Sequence, residues 1–465
     1  MKTTPYAYQL LGARALHRFG GRGLLADEMG LGKSLQALLY AERHPQARPV
    51  LIVCPAGLKF NWARECRQHF GWHAHIVEGL EPPKDLLPQS HAITIANYDI
   101  LSPRQRKQHS YSGWLAYLKG LAPKLIILDE AHYLKNPRSA RSRTVRELCQ
   151  GVPHVLALTG TPIENKPIEL WPVLNILYPR EFPSYYGFGM AYCAPQRNRF
   201  SGGWDFNGSS NIDELRKRLQ HIMIRRKKAD VLQDLPPKQR HVVPLDIVDR
   251  GQYEEAEEAF LQWLARHKPE KLTKALKAEM LVKTGYLKRL AATLKLPNVF
   301  AWVDSFLAES EGKLLVFGVH RSILDQLEDR YRKMSVVVHG SVKGRERQEA
   351  VDQFQQRKEI RLFLGQIRAA GVGLNLTRAA DVAFAEFDWV PAAHTQAEDR
   401  CYGRLSDLHG ASSWWLTAEN TIESRLVQIL DNKQETANAV LDGQGKGDQL
   451  DIYGQLCKKM LEERR

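Results

Sequence analysis

Residues 27 to 34, DEMGLGKS, set two glycines, a lysine and a hydroxyl in one tight span, between the apolar Leu24, Leu25 and Ala26 and the helical pattern LQALLYAERH. The chemistry that suits this spacing is the grip of a polyphosphate. Gly30 and Gly32 let successive backbone N–H groups curl inward as an anion nest, and the following helix adds the positive end of its dipole. Lys33 then reaches the β- and γ-phosphates, and the Ser34 hydroxyl offers magnesium a hard oxygen ligand. The loop as a whole, Asp27, Glu28, Met29, Gly30, Leu31, Gly32, Lys33 and Ser34, departs from the general phosphate-loop pattern, which has glycine where this chain has Asp27. Taken alone, the segment is also compatible with a plain glycine-rich turn.

A second chemical segment is LIILDEAH, 125 to 132, with Asp129 and Glu130 at the tip of an apolar run. One carboxylate can hold magnesium while its neighbour polarises an attacking water. A D–E pair at a strand end is also a common solvated turn. Downstream of a phosphate loop, at the end of a separate strand, it reads as the other half of a nucleotide site. LTGTPI, 158 to 163, ends a further run with Thr159, Gly160 and Thr161, and by itself reads as a turn.

The elements that must position these residues are short buried strands alternating with helices. VLIVC (50 to 54), AITIA (92 to 96), LIILD (125 to 129) and VLAL (155 to 158) have the unbroken apolar character of parallel strands covered on both faces. Such a sheet presents its ligands at the carboxyl ends of its strands, where the loop and the DEAH segment fall. KLLVF (313 to 317), SVVVH (335 to 339), IRLFL (360 to 364) and DVAFA (381 to 385) repeat the pattern as a second α/β lobe. Between the lobes, 182 to 211 is rich in glycine, serine and aromatics and reads as an ordered surface excursion rather than a strand pair, with aromatic packing onto a neighbouring helix as its simplest role. From Tyr253 to about Phe306 apolar residues recur at helical spacing. GQGKGDQ, 443 to 449, reads as a flexible break before a final helix.

The 465 residues, 43% hydrophobic and 25% charged, describe a globular chain too long for a single core. A formal charge of +14 favours an acidic polymer as partner, or serves solubility alone. Cys54, Cys66, Cys149, Cys193, Cys401 and Cys457 form no C-x-x-C pair, so the sequence suggests neither zinc nor a disulfide framework. No apolar run is long enough for a bilayer and no signal-peptide core opens the chain, so an intracellular protein off the membrane, cytoplasmic or nucleoid/nuclear, is expected.

The order DEMGLGKS, LIVCP with Trp62, ANYD (96 to 99), LDEAH, LTGTPIEN, IMIRRKKADVLQDLPPK (222 to 238), GVGLNL (371 to 376) and QAEDR (396 to 400) resembles the Swi/Snf-type DNA translocases of helicase superfamily two, from about residue 5 to 430. In that family an acidic residue at Asp27 is normal. The stretch from Tyr192 and Cys193 through Trp204 to Pro237 is most similar to the annealing-helicase, fork-remodelling subgroup.

The resemblance implies an α/β fold of two RecA-like parallel-sheet lobes with helical insertions. It divides the chain into a first ATP-binding lobe at 1–235 carrying an excursion at about 164–235, a helical linker or protrusion at 236–312, a second lobe at 313–432, and a tail with a helix at 433–465. It implies ATP and Mg2+ as cofactors, duplex or forked DNA as partner, and an unnamed recruiting protein. It gives Gln9 the adenine edge, Lys33 the phosphates, Ser34 and Asp129 the magnesium, and Glu130 the attacking water. Thr159, Gly160 and Thr161 would couple hydrolysis to lobe movement, and Gly371, Gly373 and Asn375 would touch nucleotide and nucleic-acid backbone. Arg400 would be an arginine finger. The family's second arginine would fall at Gly403, and Arg404 stands one position late. On a helix that step turns a side chain by about 100°. Either a local insertion restores its reach, or Arg400 acts alone.

The run Arg225, Arg226, Lys227 and Lys228 is read as structural first and as a phosphate contact second, and the lysines around 271 to 295 are the candidates for duplex contact. The expected activity is ATP-driven, sequence-independent translocation that remodels or anneals DNA. An RNA- or DNA-unwinding helicase, or a non-catalytic nucleic-acid clamp or annealing scaffold, remain alternatives at this level.

Overall fold

The computed structural model describes residues 1–83, 92–106, 109–163, 166–197, 203–231, 238–267, 274–342, 344–370, 374, 376–401, 412–430 and 452–463. They form two compact units, one within Met1–Gln233 and one within Asp234–Thr436 and Leu450–Arg465.

The first unit contains, in chain order, β1 (Arg22–Leu25), β2 (Val50–Cys54), β3 (His75–Ile76), β4 (Ile93–Asn97), β5 (Arg104–Arg106), β6 (His109–Tyr111), β7 (Leu125–Asp129), β8 (His154–Leu158), β9 (Gln196–Arg197), β10 (Trp204–Asp205) and β11 (Met223–Ile224). Seven of these make one sheet in the order β11-β1-β8-β7-β2-β4-β3, parallel throughout. Its central strands are VLIVC and LIILD, buried at every position, as parallel strands covered on both faces are. The core runs from Leu24, Leu51 and Ile126 through Trp171 and Leu174 to Phe188, Tyr192 and Leu219.

The excursion is therefore part of this core. Tyr185–Tyr192 is a helix capped by Ser184, and its Tyr185 ring stands edge-on to Trp171 at 5.4 Å. Aromatic packing on a helix is found as expected, but a strand pair is present as well, the two-residue antiparallel β9–β10. The chain then returns as β11 to pair with β1, a strand too short to carry a periodic signal.

The second unit contains β12 (Gln239–Leu245), β13 (Lys313–Gly318), β14 (Ser335–Val338), β15 (Leu362–Gln366), β16 (Ala379–Phe384) and β17 (Ser412–Ala418). They form a sheet ordered β12-β17-β16-β13-β15-β14, again parallel. Alternate residues of β13 serve opposite faces, Leu315 and Phe317 on one core and Leu314 and Val316 on the other. The first core takes Tyr253, Phe260 and Leu264 from the helix Arg250–His267 and Leu456 and Met460 from the helix Ile452–Glu462. The second takes Leu296, Val299 and Val303 from the helix Lys274–Glu309.

The stretch 236–312, expected as a separate linker or protrusion, thus supplies an edge strand and core-forming helices to the second unit. Pro244 hid that strand from the sequence reading, since proline is tolerated only where a strand has no further partner to serve. The expected break at 443 to 449 lies outside the described residues.

Candidate functional site

The candidate residues of the first unit leave the sheet at its carboxyl edge. Leu25 and Asp129 both lie opposite Leu158 in register, so the loop after β1, the acidic pair ending β7 and the segment after β8 emerge side by side. Gly32 has φ 69° and opens helix α1 (Lys33–Arg43). A Cβ there would stand 2.4 Å from Gln9 Nε2, so both the left-handed backbone and the close approach call for glycine. Gly160 is fixed by proximity alone: a Cβ would lie 2.5 Å from Met29 Cγ and 3.4 Å from Lys33 Nζ. The segment after β8 therefore rides directly on the phosphate loop. Lys33 Nζ donates to the carbonyls of Asp27 at 2.8 Å and Glu28 at 3.2 Å, which holds the ammonium across the loop.

Asp27, the departure from the general pattern, is completely buried and structural. Its Oδ1 accepts from the Arg226 backbone N–H at 3.1 Å and Nε at 3.0 Å, and its Oδ2 accepts from Arg226 Nη2 and from Gln36 Nε2 at 3.0 Å. Arg226 also donates to Gln36 Oε1 at 2.7 Å and stacks over the Tyr8 ring. The loop is thus tied at its first residue to the chain following β11. Arg225 Nη1 donates to Ala26 O at 3.1 Å, and the Lys228 backbone N–H donates to Glu28 Oε2 at 2.6 Å. The structural reading of the Arg225–Lys228 run is the one the geometry supports.

Asp129 Oδ2 accepts from the Trp62 indole N–H at 2.7 Å, and Tyr98 O–H donates to the Asp129 carbonyl at 2.8 Å. Burial and the adjacent Glu130 push the Asp129 carboxyl above its ordinary value, with Trp62 and Lys33 working the other way. Glu130 has φ 50°, an unusual conformation for a residue with a Cβ and one that turns its backbone sharply off the strand. Its Oε2 lies 3.3 Å from His132 Nδ1, which is also 3.0 Å from Thr159 Oγ1, and Thr159 Oγ1 accepts from the Thr161 backbone N–H at 3.1 Å. One imidazole nitrogen thus stands beside both Glu130 and Thr159. Tyr98 stands in ANYD and His132 in LDEAH, but their contacts with Asp129, Glu130 and Thr159 carry no signal in the sequence.

Gln9 Oε1 accepts from the Tyr6 backbone N–H at 3.0 Å and its Nε2 donates to Leu31 O at 3.3 Å. Its amide joins the N-terminal segment to the phosphate loop.

In the second unit the helix Pro391–Glu398 carries Gln396 and stops before Arg400, whose Nε donates to Gln396 O at 3.0 Å and Nη1 to Leu374 O at 3.5 Å. Arg400 already lies past the end of that helix, so the helical step of about 100° expected for Arg404 has no helix to start from at Arg400. Gly371, Gly373, Asn375 and Arg404 lie outside the described residues. Two lysines expected to face duplex are corrected: Lys288 is buried over the Trp389 ring, and Lys295 is fully buried against Glu423 and Leu416 O.

The model of the SNF2-related domain matches residues 12–295, and that of the helicase conserved C-terminal domain matches 298–404. The chain belongs to the SNF2-related family. This SNF2-related chain is 31% identical over 445 residues to the DNA annealing helicase and endonuclease ZRANB3 of Mus musculus, covering 92% of itself and 40% of that protein. It is 31% identical over 422 residues to the SWI/SNF-related matrix-associated actin-dependent regulator of chromatin subfamily A-like protein 1 of Bos taurus, covering 89% of itself and 42% of that protein. It spans about 40% of the length of these curated relatives. Among solved structures, the Sulfolobus solfataricus SWI2/SNF2 ATPase core in complex with dsDNA aligns with 100% of this chain and 97% of its own, at 23% identity and TM-score 0.44. The family implies use of ATP, generally with magnesium. The residues present fit both groups: an ammonium over a glycine-opened helix start suits the phosphates, and a buried carboxyl raised by a second carboxylate is a place short of positive charge. Among the described residues no helix is long and apolar enough to cross a membrane.

Proposed function

We propose that this chain is a DNA-stimulated ATPase motor that moves on duplex or branched DNA without reading sequence, and remodels or anneals it. The observation that carries the reading is the convergence in the first unit of Lys33, Asp129, Glu130 and Thr159–Thr161, with Gly160 against Lys33 and His132 linking Glu130 to Thr159. Bound ATP with magnesium would supply the phosphoanhydride bond and the charge that neutralises its leaving group. Lys33 grips the phosphates and Ser34 and Asp129 hold the cation. Glu130, held out of strand geometry by its own backbone, orients the attacking water. His132 then relays the state of Glu130 to Thr159, the start of a segment that touches the loop at Met29. Gln9 takes the adenine edge, Gly371, Gly373 and Asn375 serve nucleotide and backbone contact, and Arg400 is the arginine finger, alone or with Arg404.

The name of one relative, a DNA annealing helicase, favours DNA annealing as the work performed. The test is ATP hydrolysis measured without nucleic acid and with single-stranded DNA, duplex DNA, forked DNA and RNA, with Lys33→Ala alongside. Stimulation by duplex or forked DNA, abolished by Lys33→Ala, is expected. Stimulation by RNA alone would move the protein to the unwinding alternative, and equal rates throughout would remove the motor.

A further inference from the structure

The segment LPPK, which closes the basic motif of the sequence, ends at Lys238, and the proposed function assigns that lysine nothing. Lys238 precedes β12 and its Nζ donates to Glu398 Oε2 at 2.6 Å, with Asp399 Oδ1 at 3.7 Å. Arg240, within β12, adds Nη2 at 3.2 Å and Nε at 3.3 Å to Glu398 Oε1, and its guanidinium lies over the Trp415 ring at 4.5 Å. Ser413 Oγ donates to the same carboxylate at 2.8 Å, from the residue that faces Arg240 across the β12–β17 register. Glu398 is the last residue of the helix Pro391–Glu398 and is buried, so this network pins the end of that helix. Arg400 follows by two positions, with Nε donating to Gln396 O and Nη1 to Leu374 O.

We infer that Lys238, assisted by Arg240, is a positioning residue for Arg400: through Glu398 and Asp399 it sets where the helix ends and hence where the finger guanidinium points. The inference rests on the assignment of Arg400 as the finger. A buried ion pair is a poor device for stability, since desolvation offsets most of the attraction, but a clamp of donors from Lys238, Arg240, Ser413 and Trp415 on one carboxylate fixes a direction. Orientation is what a finger needs, because a catalytic group displaced by about 1 Å can cost on the order of 10²-fold in rate. The arrangement also has a mechanical consequence. Arg226 ties one part of the basic motif to Asp27 of the phosphate loop, and Lys238 ties its end to the residues beside the finger. Each nucleotide motif is thus anchored to the same stretch of chain.

The test is a double-mutant cycle in the full chain, reading duplex-stimulated turnover, equilibrium affinity for a non-hydrolysed fluorescent ATP analogue, and thermal unfolding. Lys238→Met should lower kcat about tenfold or more with analogue affinity within about twofold of wild type, and Lys238→Arg should recover most of it. In an Arg400→Ala background Lys238→Met should add less than about twofold, since a finger already absent cannot be misplaced. Glu398→Gln, which keeps the acceptors for Ser413 but loses the charge, should behave as Lys238→Met and replaces it should that variant fail to fold. An undiminished penalty in the Arg400→Ala background, or wild-type kcat for folded Lys238→Met, overturns the inference alone. Wild-type turnover by Arg400→Ala overturns the finger assignment and the inference with it.

Discussion

Asp27 shows how a residue that breaks a general pattern can be the best-anchored one in its motif. A phosphate loop must hold a strained backbone against the pull of a highly charged ligand, and here a fully buried carboxylate receives the Nε and Nη2 donors along one edge of the Arg226 guanidinium. Removing one partner leaves the other charge buried and unpaired. Asp27→Ala is therefore expected to cost about 3 kcal/mol in urea unfolding, Arg226→Met a similar amount, and the double variant distinctly less than the sum. Full additivity would mean the two side chains act independently. Lys33, Ser34, Asp129 and Glu130 could be nominated from the sequence because phosphate and magnesium chemistry constrains residue types at short spacing. The partner of Asp27 could not, because it lies 199 positions away and charge alone does not pair distant residues.

At the scale of elements, the unbroken apolar runs announced their strands, the edge strand β14 included, whereas β3, β11, β12 and the interior β17 gave no such signal. β2 and β7 are five-residue apolar runs, whereas β3 and β11 have two residues each and β12 carries a proline. The helix Lys274–Glu309 was legible as a helix, but which of its lysines face inward depends on the sheet it covers. Lys295→Met is expected to destabilise the second unit by about 3 kcal/mol while leaving the salt slope of duplex binding unchanged, because a buried cation releases no counterions from DNA. A slope reduced by about one would return Lys295 to the duplex-contact set.

The helix Pro391–Glu398 makes the second unit acid-sensitive in two stages. Burial pushes the His394 imidazole down from 6.5 to about 4, with its Nε2 accepting from the Asp388 backbone N–H. Burial works to raise the Glu398 carboxyl, but Lys238 and Arg240 overcome it and hold the group at about 2, below the ordinary 4.5. Both groups titrate lower in the folded chain than in the unfolded one. The stability from His394 is therefore complete above 6.5 and lost as pH falls toward about 4, and that from Glu398 is complete above 4.5 and lost toward about 2. Unfolding free energy followed against pH should decline through both windows, and His394→Gln should flatten the first. A decline unaltered in that variant would assign the first stage to other groups.

At the scale of the whole molecule, one chain carries two parallel-sheet units, and the proposed function assigns a part of the nucleotide chemistry to each. The order of motifs made the division into lobes legible, while the placement of 236–312 within the second unit became visible only from the pairing of β12 with β17. The central claim is that hydrolysis oriented by Glu130 drives movement along duplex DNA. Its most direct measurement is displacement of a third strand from a DNA triplex by the full chain, with ATP, with ADP, and with Glu130→Gln. ATP-dependent displacement by the wild-type protein, absent with ADP and with Glu130→Gln, is the expected result. Displacement of equal extent in all three conditions, or none by a wild-type protein that hydrolyses ATP on duplex DNA, would contradict it.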